Sequence, residues 1–381
     1  MPFLYINAKL LTLKAEVEAL DMSGEWEYLK RCSNPYELVY AQSQDSRVPP
    51  SVSNLRPLSR SFFKMIEMLQ VLDFYKRHGS GVMRTAHVCE GPGGFIEAIS
   101  HMCTRNSIQL ESVWAMTLKP SRPNIPGWKR AYSFLRKSPM VHIEYGADDT
   151  GDIMVPANQR EFIKKAGGKC HIFTADGGFD FSENYATQED EVFPLLVSSS
   201  LIGLQTLVKG GDFILKIFDT ELQCTKDLIA LLAYCFDSWT LYKPAMSRPC
   251  NAEKYFLGRG CRRVPRVILQ ALCNIRDSYA TTLNRTRGIL EPSDSISHVF
   301  DQIQSLRSEF QQHQVDALEH AIANRQEWNT QPNKIWTKIH DHSIVWCRHF
   351  QIPLKSFTSL SLHPQGQPVE LRRRSGDAGR L

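Results

Sequence analysis

The chain has 381 residues, enough for one large α/β domain with appendages or for two modest domains. A hydrophobic share of 42% with 22% charged residues is that of an ordinary globular protein, and it excludes a collagen-like, wholly coiled-coil or wholly unstructured chain. The formal net charge of +5 suits a polyanionic partner without demanding one, and no run of 18 apolar residues argues for a membrane span.

Residues 1–55 read as an N-terminal extension with few long periodic segments, ending in a Ser/Pro/Asn-rich link around Val48 to Asn54. The opening run MPFLYINAKLLTLKAEVEAL is interrupted by Lys9 and Lys14 and has neither a basic leader nor a small-residue cleavage site, so it does not read as a secretory signal. From Ser59 to His78 the apolar positions Phe62, Phe63, Ile66, Leu69, Val71, Leu72 and Tyr75 predict an amphipathic helix, stopped by Gly79 and Gly81. Short apolar runs follow at 85–89, 112–117, 141–145, 171–175, 213–218, 239–242 and 255–257. Helical spacing lies between them at 94–103, 158–166, 193–208 and 225–236. Such strand–helix alternation predicts an α/β fold, a mostly parallel seven-stranded sheet covered on both faces. The last two runs have no helix between them, which predicts an antiparallel final strand.

Beyond about 265 the character becomes helical. Ser293 is positioned to cap a helix with the stripe Ile296, Val299, Phe300, Ile303, Leu306 and Phe310, continuing through Leu318 and Ile322. A second apolar segment runs from Ile335 to Phe350. The chain is therefore divided into an extension (1–55), a main domain (56–265), a helical C-terminal module (266–362) and an unstructured tail (363–381) with three consecutive arginines at 372–374. The module is expected either to pack on the main domain or to hold a protein partner. Ten cysteines, none in a CxxC pair or at zinc-like spacing, read as buried free thiols of a reducing compartment. An intracellular location is expected, with nucleus and cytoplasm both open.

The segment Glu90-Gly91-Pro92-Gly93-Gly94-Phe95 follows a predicted strand and opens a predicted helix. Glycines there let the backbone turn sharply and approach a ligand, at the strand end where open α/β sheets bind ligands. The pattern is neither GxGxxG nor a P-loop, which disfavours a nicotinamide cofactor or ATP.

EGPGGF resembles the first motif of the FtsJ-like S-adenosylmethionine-dependent RNA methyltransferases, whose glycine turn cradles the methionine portion of the cofactor. Where that family often has an acid after the second strand, this chain reads Ala115-Met116-Thr117-Leu118, which is similar to its cap-methylating branch. Four further segments resemble that branch in the same order: Asn34-Pro35-Tyr36-Glu37, Ser59-Arg60-Ser61-Phe62-Phe63-Lys64, Thr174-Ala175-Asp176-Gly177-Gly178-Phe179, and Gly210 to Asp219. Ser247-Arg248-Pro249 leading to Glu253 completes the set, and the likeness covers roughly residues 30 to 260. It implies a Rossmann-like methyltransferase fold and a catalytic tetrad of Lys64, Asp176, Lys216 and Glu253. The implied reaction transfers a methyl group from S-adenosylmethionine to a ribose 2′-hydroxyl, most simply next to an mRNA 5′ cap, and leaves S-adenosylhomocysteine.

A ribose hydroxyl must lose its proton as it attacks, and a lysine can take that proton only if its own affinity for one is depressed by burial or a nearby cation. Lys216, inside the apolar run 213–218, is the expected base. Lys64 would supply the second positive charge, with Asp176 and Glu253 orienting the two amines. The chemistry requires no metal. Cofactor contacts are expected from Glu90, Gly91, Pro92, Gly93, Gly94, Phe95 and Asp176. Asp152 is the choice for the adenine amino group, with Asp148 and Asp149 open. Arg60, Lys119 and Arg248 are the expected phosphate contacts. Tyr36, Tyr40 and Trp128 are candidates to stack on a cap guanine. Two other readings stay open: methylation of internal rRNA or tRNA riboses, and a catalytically inactive RNA-binding scaffold.

Overall fold

The computed structural model describes residues 2–79, 81–121, 125, 127–178, 188–279, 290 and 294–356. The elements begin with α1 (Pro2–Met22) and α2 (Trp26–Cys32), a 3₁₀ turn at Glu37–Val39, α3 (Ser61–Val71) and α4 (Phe74–His78). Then come β1 (Val82–Val88), α5 (Gly94–Arg105), β2 (Gln109–Met116), a 3₁₀ turn at Lys129–Ala131, α6 (Tyr132–Arg136), β3 (Val141–Glu144), α7 (Pro156–Ala166) and β4 (Cys170–Ala175). The chain continues through α8 (Gln188–Thr206), β5 (Leu207–Ile217), α9 (Gln223–Tyr234), β6 (Phe236–Tyr242) and β7 (Lys254–Cys261). It closes with α10 (Arg266–Tyr279), α11 (Asp294–Ala323), α12 (Arg325–Thr330) and α13 (Pro332–His349).

Two local differences from the sequence reading have clear causes. The N-terminal extension opens on a helix of 21 residues. Its buried stripe is Leu10, Leu13 and Leu20, but the exposed Leu11 and the lysines among them blur the periodicity. The single helix expected over 59–78 is two, because Asp73 adopts a left-handed conformation (φ 50°) that interrupts α3 and α4. Ser293 and the tail from 363 lie outside the described residues.

Contacts divide the chain into two compact units, one of Met1–Ala8, Pro57–Ser247 and Asn251–Gln314, the other of Lys9–Arg56, Arg248–Cys250 and Val315–Leu381. In the first unit a seven-stranded sheet has the order β3-β2-β1-β4-β5-β7-β6. The neighbours from β3 to β5 pair in parallel, and β7 is antiparallel to both β5 and β6. Sequence order reverses between β1 and β4, so the carboxyl ends of those strands flank a crevice of the kind where open sheets bind ligands. One face is filled by Phe173, Phe213, Phe236 and Phe256, all fully buried. Gly203 of α8 lets that helix lie against Phe173 and Phe213, since any Cβ would collide with both rings. On the other face Ile96, Val113, Ala115, Trp128 and Ala131 make a smaller core.

In the second unit Tyr28 of α2 meets Trp336 of α13 edge to face (centroids 6.1 Å), and the indole N–H donates to the Tyr28 hydroxyl at 3.1 Å. Glu37, wholly buried, accepts from Arg31, Asn34 and Arg248.

Candidate active site

Sheet register explains why three of the four expected tetrad residues meet. Ala175, the last residue of β4, pairs with Leu215 of β5, so Asp176 emerges beside Lys216. Antiparallel β7 starts where β5 ends, with Lys254 opposite Ile217, which sets Glu253 at the same edge. Lys64 comes from α3. The Lys216 amine donates to the backbone oxygen of Asp176 at 2.7 Å and lies 3.3 Å from its carboxylate Oδ1. The Lys64 amine donates to Glu253 Oε1 at 2.5 Å. The side chains of Lys64, Lys216 and Glu253 each keep 13% of their surface, and Asp176 keeps 18%, so the cluster is sheltered yet reachable.

Neighbouring groups fix the carboxylates. The Tyr255 hydroxyl donates to Asp176 Oδ1 at 2.9 Å, and Ser247 Oγ donates to Glu253 Oε1 at 2.7 Å. Glu67, one helical turn beyond Lys64, accepts the backbone N–H groups of Ala245 (2.6 Å) and Met246 (2.9 Å) and the Tyr242 hydroxyl (3.0 Å). It thereby ties α3 to the loop that leads to Glu253. These orienting residues were not singled out from the sequence. Tyr255 had a signal: it lies two residues past Glu253, at the start of the last apolar run. Glu67 had another, as an acid within an apolar helical run.

Electrostatics separates two carboxyls of this edge, Glu253 and Glu90. Burial alone would raise Glu253, but Lys64 and Lys216 and the bonds from Lys64 and Ser247 override it and lower it to about 2. Glu90, with 3% of its surface exposed, is pushed well above the usual carboxylate range by burial and by Asp176. Its bonds come from neutral donors, Thr174 Oγ1 at 2.6 Å and the Phe95 backbone. Lys216 departs from the sequence expectation. Burial works to depress its proton affinity, yet Asp176 and Glu253 outweigh burial and hold the amine above the ordinary lysine range. The expectation counted the burial and the second cation and underweighted the carboxylates, Asp176 at 3.3 Å and the nearby charge of Glu253.

The glycine turn is built for close approach. Gly93 has φ 101°, and a Cβ on Gly91 would come within 2.8 Å of the Gly127 carbonyl oxygen. At Gly94 a Cβ would strike the hydroxyls of Ser59 and Ser61, so this glycine lets the start of α5 lie against the start of α3. The Gly91 N–H donates to Thr117 Oγ1 at 3.3 Å, joining the turn to the end of β2. Across the crevice the loop after β3 sorts its three acids. Asp148 Oδ1 accepts from Thr150 and Asn158, and Asp149 pairs with Lys119. Asp152 uses Oδ1 for the Met154 N–H at 2.8 Å and keeps its second oxygen without a hydrogen bond among the described residues.

The sequence of this unit has known relatives. The profile of FtsJ-like methyltransferases matches residues 57–261, more than half of the chain. The chain belongs to the FtsJ-like methyltransferase family. It is 28% identical over 260 residues to a "probable methyltransferase" of African swine fever virus, covering 62% of this chain and 58% of that protein. It is 29% identical over 299 residues to cap-specific mRNA (nucleoside-2′-O-)-methyltransferase 1 of Xenopus laevis, covering 76% of this chain and 34% of the relative. With cap-specific mRNA (nucleoside-2′-O-)-methyltransferase 2 of Mus musculus it shares 33% identity over 181 residues, 46% of this chain and 24% of the relative. The chain thus spans between about a quarter and three-fifths of the length of these relatives.

Each of the three expected phosphate contacts has a partner inside the protein. Arg60 Nε donates to the Met246 carbonyl at 2.8 Å, and Lys119 lies over the Tyr145 ring (4.3 Å) while paired with Asp149. Arg248 falls in the second unit and binds Glu37 through two nitrogens. Tyr36 and Tyr40 also belong to the second unit. Trp128 is buried beneath Gly93, its ring 3.4 Å from where a Cβ would stand, so it supports the turn and offers no free face for stacking.

Proposed function

We propose that the chain transfers a methyl group from S-adenosylmethionine to a ribose 2′-hydroxyl of RNA, at the nucleotide next to an mRNA 5′ cap. The observation that carries this reading is the pair of lysine–carboxylate contacts, Lys64–Glu253 and Lys216–Asp176, at the strand edge that holds the glycine turn. The names of the relatives support the cap as substrate.

Three features fit the cofactor. The turn Gly91-Pro92-Gly93-Gly94-Phe95 stands at the carboxyl end of β1, where the strand order reverses, Glu90 is a buried carboxyl with no cation paired to it among the described residues, and Asp152 has a spare acceptor. In this reading Glu90 faces the methionine ammonium and Asp152 the adenine amino group. When bound, the cofactor supplies an electrophilic methyl carbon on a sulfonium, and loss of that carbon leaves the neutral thioether S-adenosylhomocysteine.

The chain's own residues then handle the proton. Neutral Lys216 Nζ takes the 2′-hydroxyl proton as the oxygen attacks the methyl carbon. Asp176 and Glu253 hold this amine protonated at rest, so it must first shed a proton. A positive charge arriving beside Asp176 would counter the carboxylates and depress the amine's proton affinity. Lys64, fixed by Glu253, stabilises negative charge growing on the ribose oxygen, and the rigid edge supplies in-line placement.

The test is transfer of labelled methyl to matched capped and uncapped short RNAs, comparing wild type with Lys216→Ala. Label on the first ribose of capped RNA alone, lost in the variant, is the expected result. Equal labelling of both RNAs would overturn the cap assignment, and no binding of S-adenosylmethionine by calorimetry would overturn the enzyme reading.

A further inference from the structure

The charge of this chain is unevenly distributed. Between Glu111 and Glu144 lie 32 residues with six lysines and arginines and no acid, a local charge larger than the net +5 of the whole molecule. This stretch runs from within β2 to within β3, its six cations all lie in the connection between the two strands, and β3 is the edge strand of the sheet.

Its described helical part is two-faced. Ala131 is fully buried and Phe134 and Leu135 pack with it on the core of Ile96, Val113 and Trp128. The opposite side presents Lys129, Arg130, Tyr132, Ser133, Arg136 and Lys137, all exposed, with Tyr132 at 62%. Helical spacing accounts for this, since 129, 132, 133 and 136 recur at three to four residues. None of the four cations has a carboxylate partner among the described residues, whereas Lys119 of the same connection is paired with Asp149. Four unneutralised cations around an exposed aromatic ring are poor material for an apolar protein interface. They match a single-stranded nucleic acid, whose phosphates need cations and whose bases stack on aromatic faces. The patch also adjoins the cofactor turn. Trp128, the residue before Lys129, lies beneath Gly93, and Gly127 abuts Gly91.

We propose that the face formed by Lys129, Arg130, Tyr132, Arg136 and Lys137 is a docking surface for the single-stranded body of the RNA substrate, outside the site where methyl is transferred. This rests on the reading of the chain as an RNA methyltransferase and adds where the rest of the RNA runs. Because the four cationic side chains are exposed and pair with no carboxylate among the described residues, their removal should leave the fold and the transfer site intact.

The test uses the full chain with Lys129→Ser, Arg130→Ser, Arg136→Ser and Lys137→Ser combined, and separately Tyr132→Ala. The probes are a fluorescein-labelled capped 20-nucleotide RNA and a capped trinucleotide. The fourfold variant should bind the long RNA at least tenfold more weakly, and the slope of log affinity against log salt should fall by about 3, at roughly 0.7 for each phosphate no longer neutralised. Methyl transfer to the trinucleotide and the affinity for S-adenosylmethionine should not change. Tyr132→Ala should cost about tenfold for single strands and little for a duplex, as stacking requires. Unchanged long-RNA affinity in the fourfold variant would overturn the proposal. So would polyglutamate of equal charge binding wild type as tightly as RNA with Tyr132→Ala affecting neither. Wild type that binds long RNA through this face yet methylates none would sink the proposed activity and leave the docking surface standing.

Discussion

Strand β5 holds two charged side chains, the buried Asp212 at its middle and the sheltered Lys216 next to its carboxyl end. Asp212 is fully buried, pairs with Arg77, accepts the Gly260 N–H at 3.0 Å and has His78 Nε2 at 3.4 Å. Lys216 stands four residues on, beside Asp176 and Glu253, with the glycine turn at the same edge of the sheet. Around Asp212 the protein itself supplies these partners, and the group is sealed from water. Around Lys216 the side chains retain some exposure, and the adjoining backbone is glycine: the Cβ position of Gly178 is 3.4 Å from the Lys216 amine. A buried ion pair therefore does not mark a site by itself. What distinguishes the second pair is room left at the strand edge where ligands bind.

The sharpest way to break this comparison is to remove each charge in turn. Lys216→Ala should lower the single-turnover rate of methyl transfer by about 10²- to 10⁴-fold, the range expected for loss of a general base. Its thermal unfolding should change little. Asp212→Ala should do the reverse, destabilising the fold by about 3 kcal/mol because it empties a fully buried carboxylate position and leaves the part-buried Arg77 and the buried Gly260 N–H without their acceptor. The rate per folded molecule should remain near that of wild type. If Asp212→Ala silenced transfer in fully folded protein, or Lys216→Ala mainly unfolded the chain, the division of roles along β5 would be wrong.

A smaller effect sharpens the account of Lys216. Asp176 and Glu253 raise its proton affinity, so the transfer rate should climb with pH as the ammonium is lost. Asp176→Asn removes one of those negative charges while keeping the shape of the side chain. The maximal rate should fall, yet the rising limb of the pH–rate profile should move to lower pH by roughly one unit. A limb that stayed in place, or moved upward, would show that another group titrates.

The comparison also explains how much could be read beforehand. The strand–helix alternation, the antiparallel last strand and the glycine turn are local patterns, and they carried the fold. Lys64, Asp176, Lys216 and Glu253 stood out through the resemblance of their segments, in order, to the FtsJ-like family; of the four, Lys216 also stood out by itself, as a lysine inside an apolar run. Partnerships between distant segments were invisible. Nothing in the sequence ties Arg248 to Glu37, or Glu67 to the backbone of Ala245 and Met246, since such pairs depend on which loops meet in space. The direction of the Lys216 shift failed for the same reason, being a balance of distances that spacing does not encode.

The smallest effect concerns Glu90, the carboxyl of this edge with no cation paired to it among the described residues. Its proton affinity in the folded chain is well above the usual carboxylate value. Between that usual value and the folded one, the unfolded chain gives up the proton while the folded chain keeps it, so stability falls as pH rises through this window. Glu90→Gln removes the titration and keeps an acceptor for Thr174. The variant should match wild type near pH 4.5 and gain on it towards neutral pH, by a few degrees in Tm. Its affinity for S-adenosylmethionine should fall about tenfold, because the carboxyl that costs stability in the free protein would be the one that meets the cofactor's ammonium. Greater stability with unchanged cofactor affinity would separate those two properties and move the ammonium to another residue.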